Sequence, residues 1–151
     1  MEGVFWAVQK IEKGQLRMMT SAAMRQEVIT EKIGAAAEEK LTAFLDHKFV
    51  NLVGIDYSIG RLAGQIKNYY NRGPGKQPDR KMTDLDAQHL AAAIVYKVDA
   101  FYTFDEGKKG GLNLLKLNGD VMGYPLKIIK PPLPPQLEMG LNEIKEKEEK
   151  H

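Results

Sequence analysis

The 151-residue sequence predicts an α/β fold: a three-layer α/β/α sandwich with a mostly parallel central sheet. Two observations lead there. Short apolar runs (Leu16–Thr20, Phe49–Ile55, Ala100–Phe104 and Leu126–Ile129) alternate with stretches whose apolar residues recur at helical spacing. Strands separated by helices pair in parallel through crossovers, which places the helices on the sheet's faces. The second is composition. With 43% hydrophobic and 28% charged residues the chain can build one ordinary core.

Val4, Phe5, Ala7, Val8 and Ile11 repeat at helical spacing until Gly14 stops the pattern. Leu16–Thr20 then reads as a buried strand, and Ser21 as the cap of a helix carrying Met24, Val28 and Ile29. Gly34 separates it from a second helix through Ala36, Leu41, Phe44 and Leu45. After the apolar strand Phe49–Ile55, Asp56 or Ser58 caps a helix through Ile59, Leu62, Ala63 and Ile66. Asn71–Lys81, with Gly73, Pro74, Gly75 and Pro78, reads as an exposed loop. Thr83 opens a helix whose apolar stripe is Ala87, Leu90, Ala91, Ile94 and Val98. Gly107, Gly110 and Gly111 loosen the chain after the strand Ala100–Phe104, and Leu126–Ile129 is the last strand. The organisation expected is one domain over 1–135 and a charged tail over 136–151.

Several chemistries are excluded. The chain has no cysteine, hence no disulfide, thiolate metal site or thiol nucleophile. His47, His89 and His151 are far apart in sequence, against a His-rich metal site. No Gly-x-x-x-x-Gly-Lys, Gly-x-Gly-x-x-Gly or Gly-x-Ser-x-Gly occurs. No apolar run approaches the ~18 residues of a membrane span, and a cytoplasmic protein is expected. The net charge of +2 is too small to name a partner.

The acids are more informative. In a parallel α/β sheet the C-terminal ends of strands and the N-terminal ends of helices share one edge. Asp105 follows a strand, Asp86 lies in the first turn of the Thr83 helix, and Glu27 and Asp56 follow the two earlier strands. Asp86 also precedes Leu90 by one turn and so points along the buried stripe, whereas Asp84 points away. Each acid has a plain alternative. Asp86 suits a capping box with Thr83, Asp105 a turn, and Glu27 a solvated helix face with Glu31 as its rival. Carboxylates gathered without His or Cys form the ligand set of a hard cation such as Mg²⁺ or Mn²⁺, whose natural chemistry is phosphodiester hydrolysis or phosphoryl transfer. Arg61, Lys67, Arg72, Lys76, Arg80 and Lys81, interleaved with Tyr69, Tyr70 and Asn71, suit a nucleic-acid backbone with stacked, unpaired bases, or else make a solubilising loop.

Leu85–Ala93 (LDAQHLAAA), followed by Asp99–Asp105 (DAFYTFD), resembles the second half of a PIN domain, in which an Asp-Ala helix start leads to a strand ending in Thr-x-Asp. Thr20-Ser21 with Glu27, and Tyr124–Ile129 before the prolines, resemble further parts of that family over residues 4–135. The resemblance implies a metal-dependent ribonuclease in which Glu27, Asp86 and Asp105 hold Mg²⁺ or Mn²⁺ and Thr103 orients the last aspartate or its water. It also implies RNA as substrate, with an antitoxin protein and a homodimer as further partners. PIN domains open with an apolar strand ending in Asp-x-Asn or Asp-x-Ser, whose aspartate is a principal ligand. Here Met1 begins within the helical pattern, and Glu2 is the only acid before it. A start lying upstream is the expectation, against another segment or subunit filling the place. Loss of that central strand would separate the strands leading to Glu27 and Asp105. The alternatives are a catalytically inactive PIN-like module that binds RNA or protein, and an unrelated α/β phosphate-handling enzyme.

Overall fold

The computed structural model describes residues 2–22, 24, 34–104, 106, 107 and 110–132, with only the backbone of residues 2–5. Helix α1 (Glu2–Glu12) ends where the Gly14 N–H donates to Ile11 O at 2.9 Å. Gly14 sits at φ +70, and a β-carbon there would lie 2.9 Å from the Phe49 ring. Only glycine turns the chain so closely under that ring. Strand β1 (Met18–Ser21) pairs in parallel with β2 (Val50–Val53), Met18 opposite Val50 and Ser21 opposite Val53. The crossover between them includes α2 (Ala35–Leu45), entered through Gly34 at φ +91. Ile11, Leu45 and Val50 form a small core under these elements.

The main core lies between α3 (Tyr57–Asn71) and α4 (Asp84–Val95). Asp56 caps α3, its Oδ1 accepting from Ile59 N at 2.9 Å, so the aspartate and not Ser58 is the cap. Ile59, Leu62, Ala63 and Ile66 are buried as their spacing predicts. On α4 the buried set is Ala87, Leu90, Ala91, Ala92 and Ala93, wider than a single stripe. Small alanines let α4 sit close to its neighbours on more than one side, while Ile94 and Val98 pack at the margin. Burying a side chain such as Leu90, with no exposure left, contributes about 1.5–3 kcal/mol.

Strand β3 (Phe101–Tyr102) pairs in parallel with β4 (Ile128–Ile129). Both are shorter than the apolar runs that contain them, although the bonds Phe101 N to Lys127 O and Thr103 N to Ile129 O extend the pairing by a residue at each end. A 3₁₀ turn at Leu114–Leu117 was not legible as an element; Asn113 starts it by accepting from Leu115 N at 3.0 Å. The α/β class and the parallel pairing hold. Among the described residues the strands form two two-stranded parallel sheets, β1 with β2 and β3 with β4. Among the described residues no strand pairs with the second edge of β1 or of β3, so nothing joins the two ladders. Helix α4 touches β1, and its buried face shares a core with Phe101 of β3, so one helix backs both sheets. The charged tail over 136–151 lies outside the described residues.

Candidate functional site

Three connections bring the ends of distant segments to one edge. The first is between β1 and α4: the Ser21 hydroxyl hydrogen-bonds His89 Nδ1 at 3.0 Å. Ser21 ends β1 and is buried, and His89 lies one turn after Asp86 on α4. Asp86 therefore stands at the level where β1 ends. The second is the start of α4, where Thr83 Oγ1 accepts from Asp86 N at 3.1 Å. That is the Thr83 half of the cap anticipated from the sequence, and it is made by the Asp86 backbone. Asp86 is half-buried and lies in the first turn of α4, at the positive end of the helix dipole.

The third connection reaches the end of β3. Thr103 N donates to Ile129 O at 3.1 Å, continuing the ladder, and Glu106 forms an ion pair with Lys130. Beyond it, Lys81 N donates to Gly110 O and Leu112 N to Lys81 O, each at 3.0 Å. The loop after β3 is thereby tied to the segment just before Thr83. Glu27 and Asp105 lie outside the described residues. Asp56, by contrast, is occupied as the cap of α3, and Asp84 pairs with Lys67 Nζ at 2.6 Å.

The basic loop divides into two groups. Lys67 is held by Asp84, and Arg80 donates from Nη1 to the carbonyls of Gly107 and Gly111, the latter at 3.2 Å. Arg61, Arg72, Lys76 and Lys81 have exposed side chains. Tyr70 is not a stacking platform: it is buried, 4% exposed, and its hydroxyl accepts from Met122 N at 3.0 Å. Burial pushes its ionisation above the ordinary tyrosine value, with the Met122 hydrogen bond opposing and Tyr69 and Asp120 adding to the rise. Tyr69 meets it edge to face at 4.9 Å. The glycines at 107–111 do not simply loosen the chain. A β-carbon on Gly107 would lie 2.8 Å from Asn113 N and Gly111 O, so this loop is tightly fitted.

Sequence reasoning missed Ser21 with His89 and the structural use of Arg80. The signal for the first was the Asp86-x-x-His89 spacing, one helical turn, which puts both side chains on neighbouring parts of one face. Arg80 gave no local signal, because its partners are backbone carbonyls beyond the next strand.

A family model, the PIN domain, matches residues 3–109, more than half of the chain. The chain belongs to the PIN domain family. The match runs from α1 through the loop after β3 and includes Glu27, Asp86, Thr103 and Asp105. The comparisons with curated proteins and with solved structures returned no match. Membership points to nuclease-type chemistry, often metal-dependent and directed at RNA, and PIN domains commonly pair with antitoxins. PIN domains generally use divalent cations. Asp86 offers carboxylate oxygen at the edge where β1 ends, without competing thiolates. Among the described residues, no three His, Asp or Glu side chains stand close enough together to hold an ion. Nor is any described helix long and apolar enough to cross a membrane.

Proposed function

We propose that this PIN domain is a divalent-metal-dependent ribonuclease acting in the cytoplasm, with Glu27, Asp86 and Asp105 as the residues that hold Mg²⁺ or Mn²⁺. The observation that carries the reading is the position of Asp86. It stands at the head of α4, level with the end of β1 and beside the loop that follows β3, in a chain matched over residues 3–109. A divalent cation held by these residues would supply Lewis acidity, lowering the pKa of a bound water and offsetting phosphate charge. The chain's own residues do the rest. Glu27, Asp86 and Asp105 present anionic oxygens, Thr103 orients Asp105, and Arg61, Arg72, Lys76 and Lys81 neutralise the RNA backbone. Lys67 and Arg80 leave that group, since Asp84 and the loop carbonyls hold them. An antitoxin protein and a second copy of the chain are its further partners.

The test is cleavage of single-stranded RNA by the chain with Mn²⁺ or Mg²⁺, beside the double variant Asp86→Asn/Asp105→Asn. Cutting that disappears in the variant and under a chelator supports the reading. A folded chain that binds RNA without cutting it supports the second reading, a catalytically inactive RNA-binding module. Turnover of small phosphate esters but not RNA overturns both.

A further inference from the structure

We propose that Asn118 is a deamidation site gated by the fold: the native loop holds both reacting groups of Asn118-Gly119 in other bonds, and the reaction proceeds only when that loop opens. Asn118-Gly119 is the one Asn-Gly pair in the chain. A glycine after asparagine leaves the next backbone nitrogen unscreened by any side chain, so that nitrogen can reach the side-chain amide carbon. The bond formed is Gly119 N to Asn118 Cγ, and the bond broken is Cγ–Nδ2. Ammonia leaves with the proton from Gly119 N, and a cyclic imide remains. Water then opens the imide at either carbonyl, leaving an aspartyl or an isoaspartyl linkage at position 118. No other reactant is needed.

Exposure does not protect the pair, since both residues face solvent. Hydrogen bonds do. The Gly119 N–H donates to Leu126 O at 2.8 Å, and Asn118 Oδ1 accepts from Ile128 N at 2.8 Å. The attacking nitrogen is thus committed across the loop, and the amide it would attack is committed to the start of β4. Both partners are firmly seated: Leu126 is 3% and Ile128 1% exposed. The turn before Leu126 is closed by the paired bonds of Val121 and Tyr124 at 2.9 Å, and by Gly123 N on Asp120 Oδ1 at 2.7 Å. Reaction needs both bonds of the Asn118-Gly119 pair broken, so its rate follows the fraction of time that the segment is open. An isoaspartyl linkage adds a carbon to the main chain between positions 118 and 119. Neither bond can then be remade in register, and the N–H of the buried Ile128 loses its acceptor. Each event therefore leaves β4 less firmly held.

The chain is aged in mildly alkaline buffer, folded and in guanidinium chloride, and its tryptic peptide Leu117–Lys127 is followed by mass and by isoaspartyl labelling. The folded chain is expected to deamidate at least about tenfold more slowly than the unfolded one. Leu126→Ala removes the buried side chain that seats the Leu126 carbonyl and leaves Asn118-Gly119 intact. It is expected to raise the folded rate about fivefold and to leave the unfolded rate unchanged. Equal rates in the folded and unfolded parent overturn the proposal, as does an unmodified peptide in both. So does a folded Leu126→Ala chain that ages no faster than the parent. Should Leu126→Ala fail to fold, the two rates of the parent decide alone. The chain carrying the isoaspartyl linkage, returned to folding conditions, is set beside Asn118→Asp, which has the same charge on an ordinary main chain. The isoaspartyl chain is expected to unfold at the lower denaturant concentration, and an equal midpoint overturns the effect on β4.

Discussion

At Asp86 two demands meet in one residue, and they use different atoms. The backbone N–H takes the Thr83 cap at 3.1 Å, while the carboxylate sits half-buried at the edge where β1 ends. Asp86→Asn keeps the N–H and the side-chain shape and removes only the charge. The cap therefore survives, and the lost helix-dipole interaction costs about 0.3–1 kcal/mol. On the proposed role of Asp86 as a metal ligand, cleavage should nonetheless fall about a hundredfold or more. Thermal unfolding beside an RNA-cleavage assay checks both; a large fall in stability would mean the residue is structural. Tyr70 offers a contrast, a buried hydroxyl outside the site whose ionisation is raised mainly by burial. The unfolded chain loses that proton near pH ~10, before the folded one does, so stability is intact below that pH and declines as pH rises through the folded value. Tyr70→Phe should flatten this alkaline decline at a cost of about 1 kcal/mol for the hydrogen bond from Met122 N. Denaturant midpoints followed from pH 8 to about pH 11 would show it.

At the scale of elements, α3 and α4 each start at one capping side chain, and the prediction concerns the one that lies off the site. Asp56 caps α3 through Ile59 N at 2.9 Å. Asp56→Ala should cost about 1 kcal/mol. Asp56→Asn should cost little, because asparagine caps about as well, and RNA cleavage should stay within about twofold of the parent in both. If Asp56→Asn stopped cleavage, the site would lie at the end of β2 instead. Helices and their caps were legible in the sequence because they rest on local rules: Asp56, Thr83, Gly14 and Gly34 all act where the pattern places them. Strand extents were less legible. An apolar run such as Ala100–Phe104 shows which residues avoid water, whereas a ladder also needs a partner: Phe101 and Tyr102 pair in register with β4, and Thr103 adds one further bond to Ile129 O. How β1 and β3 stand to one another is a relation between distant segments, and the sequence pointed to their separation only through the central strand of the family it resembles.

Across the whole molecule the net charge of +2 conceals an uneven distribution, and what matters is which cations are already committed. Asp86 was legible because strand ends and helix starts share an edge; the partners of Lys67 and Arg80 were not, because they arrive from Asp84 and from the loop beyond β3. Six basic residues in one stretch of sequence thus reduce to four with exposed, uncommitted roles: Arg61, Arg72, Lys76 and Lys81. Binding to single-stranded nucleic acid releases counterions, with log K falling against log salt by about 0.7 per phosphate neutralised. Four contacts would give a slope near −3, and six a slope near −4. The division of the loop therefore makes a quantitative claim. Arg72→Gln and Lys76→Gln should each weaken RNA binding and make the slope shallower by about 0.7, whereas Lys67→Gln should leave the slope unchanged, its charge being matched by Asp84 at 2.6 Å. Fluorescence-anisotropy titrations of a labelled single-stranded RNA, from about 50 to 200 mM salt in the absence of divalent cations, give the slopes directly. Equal slope changes for Lys67 and Arg72 would show that the Lys67–Asp84 pair opens to the RNA, and that the whole basic stretch acts as one surface.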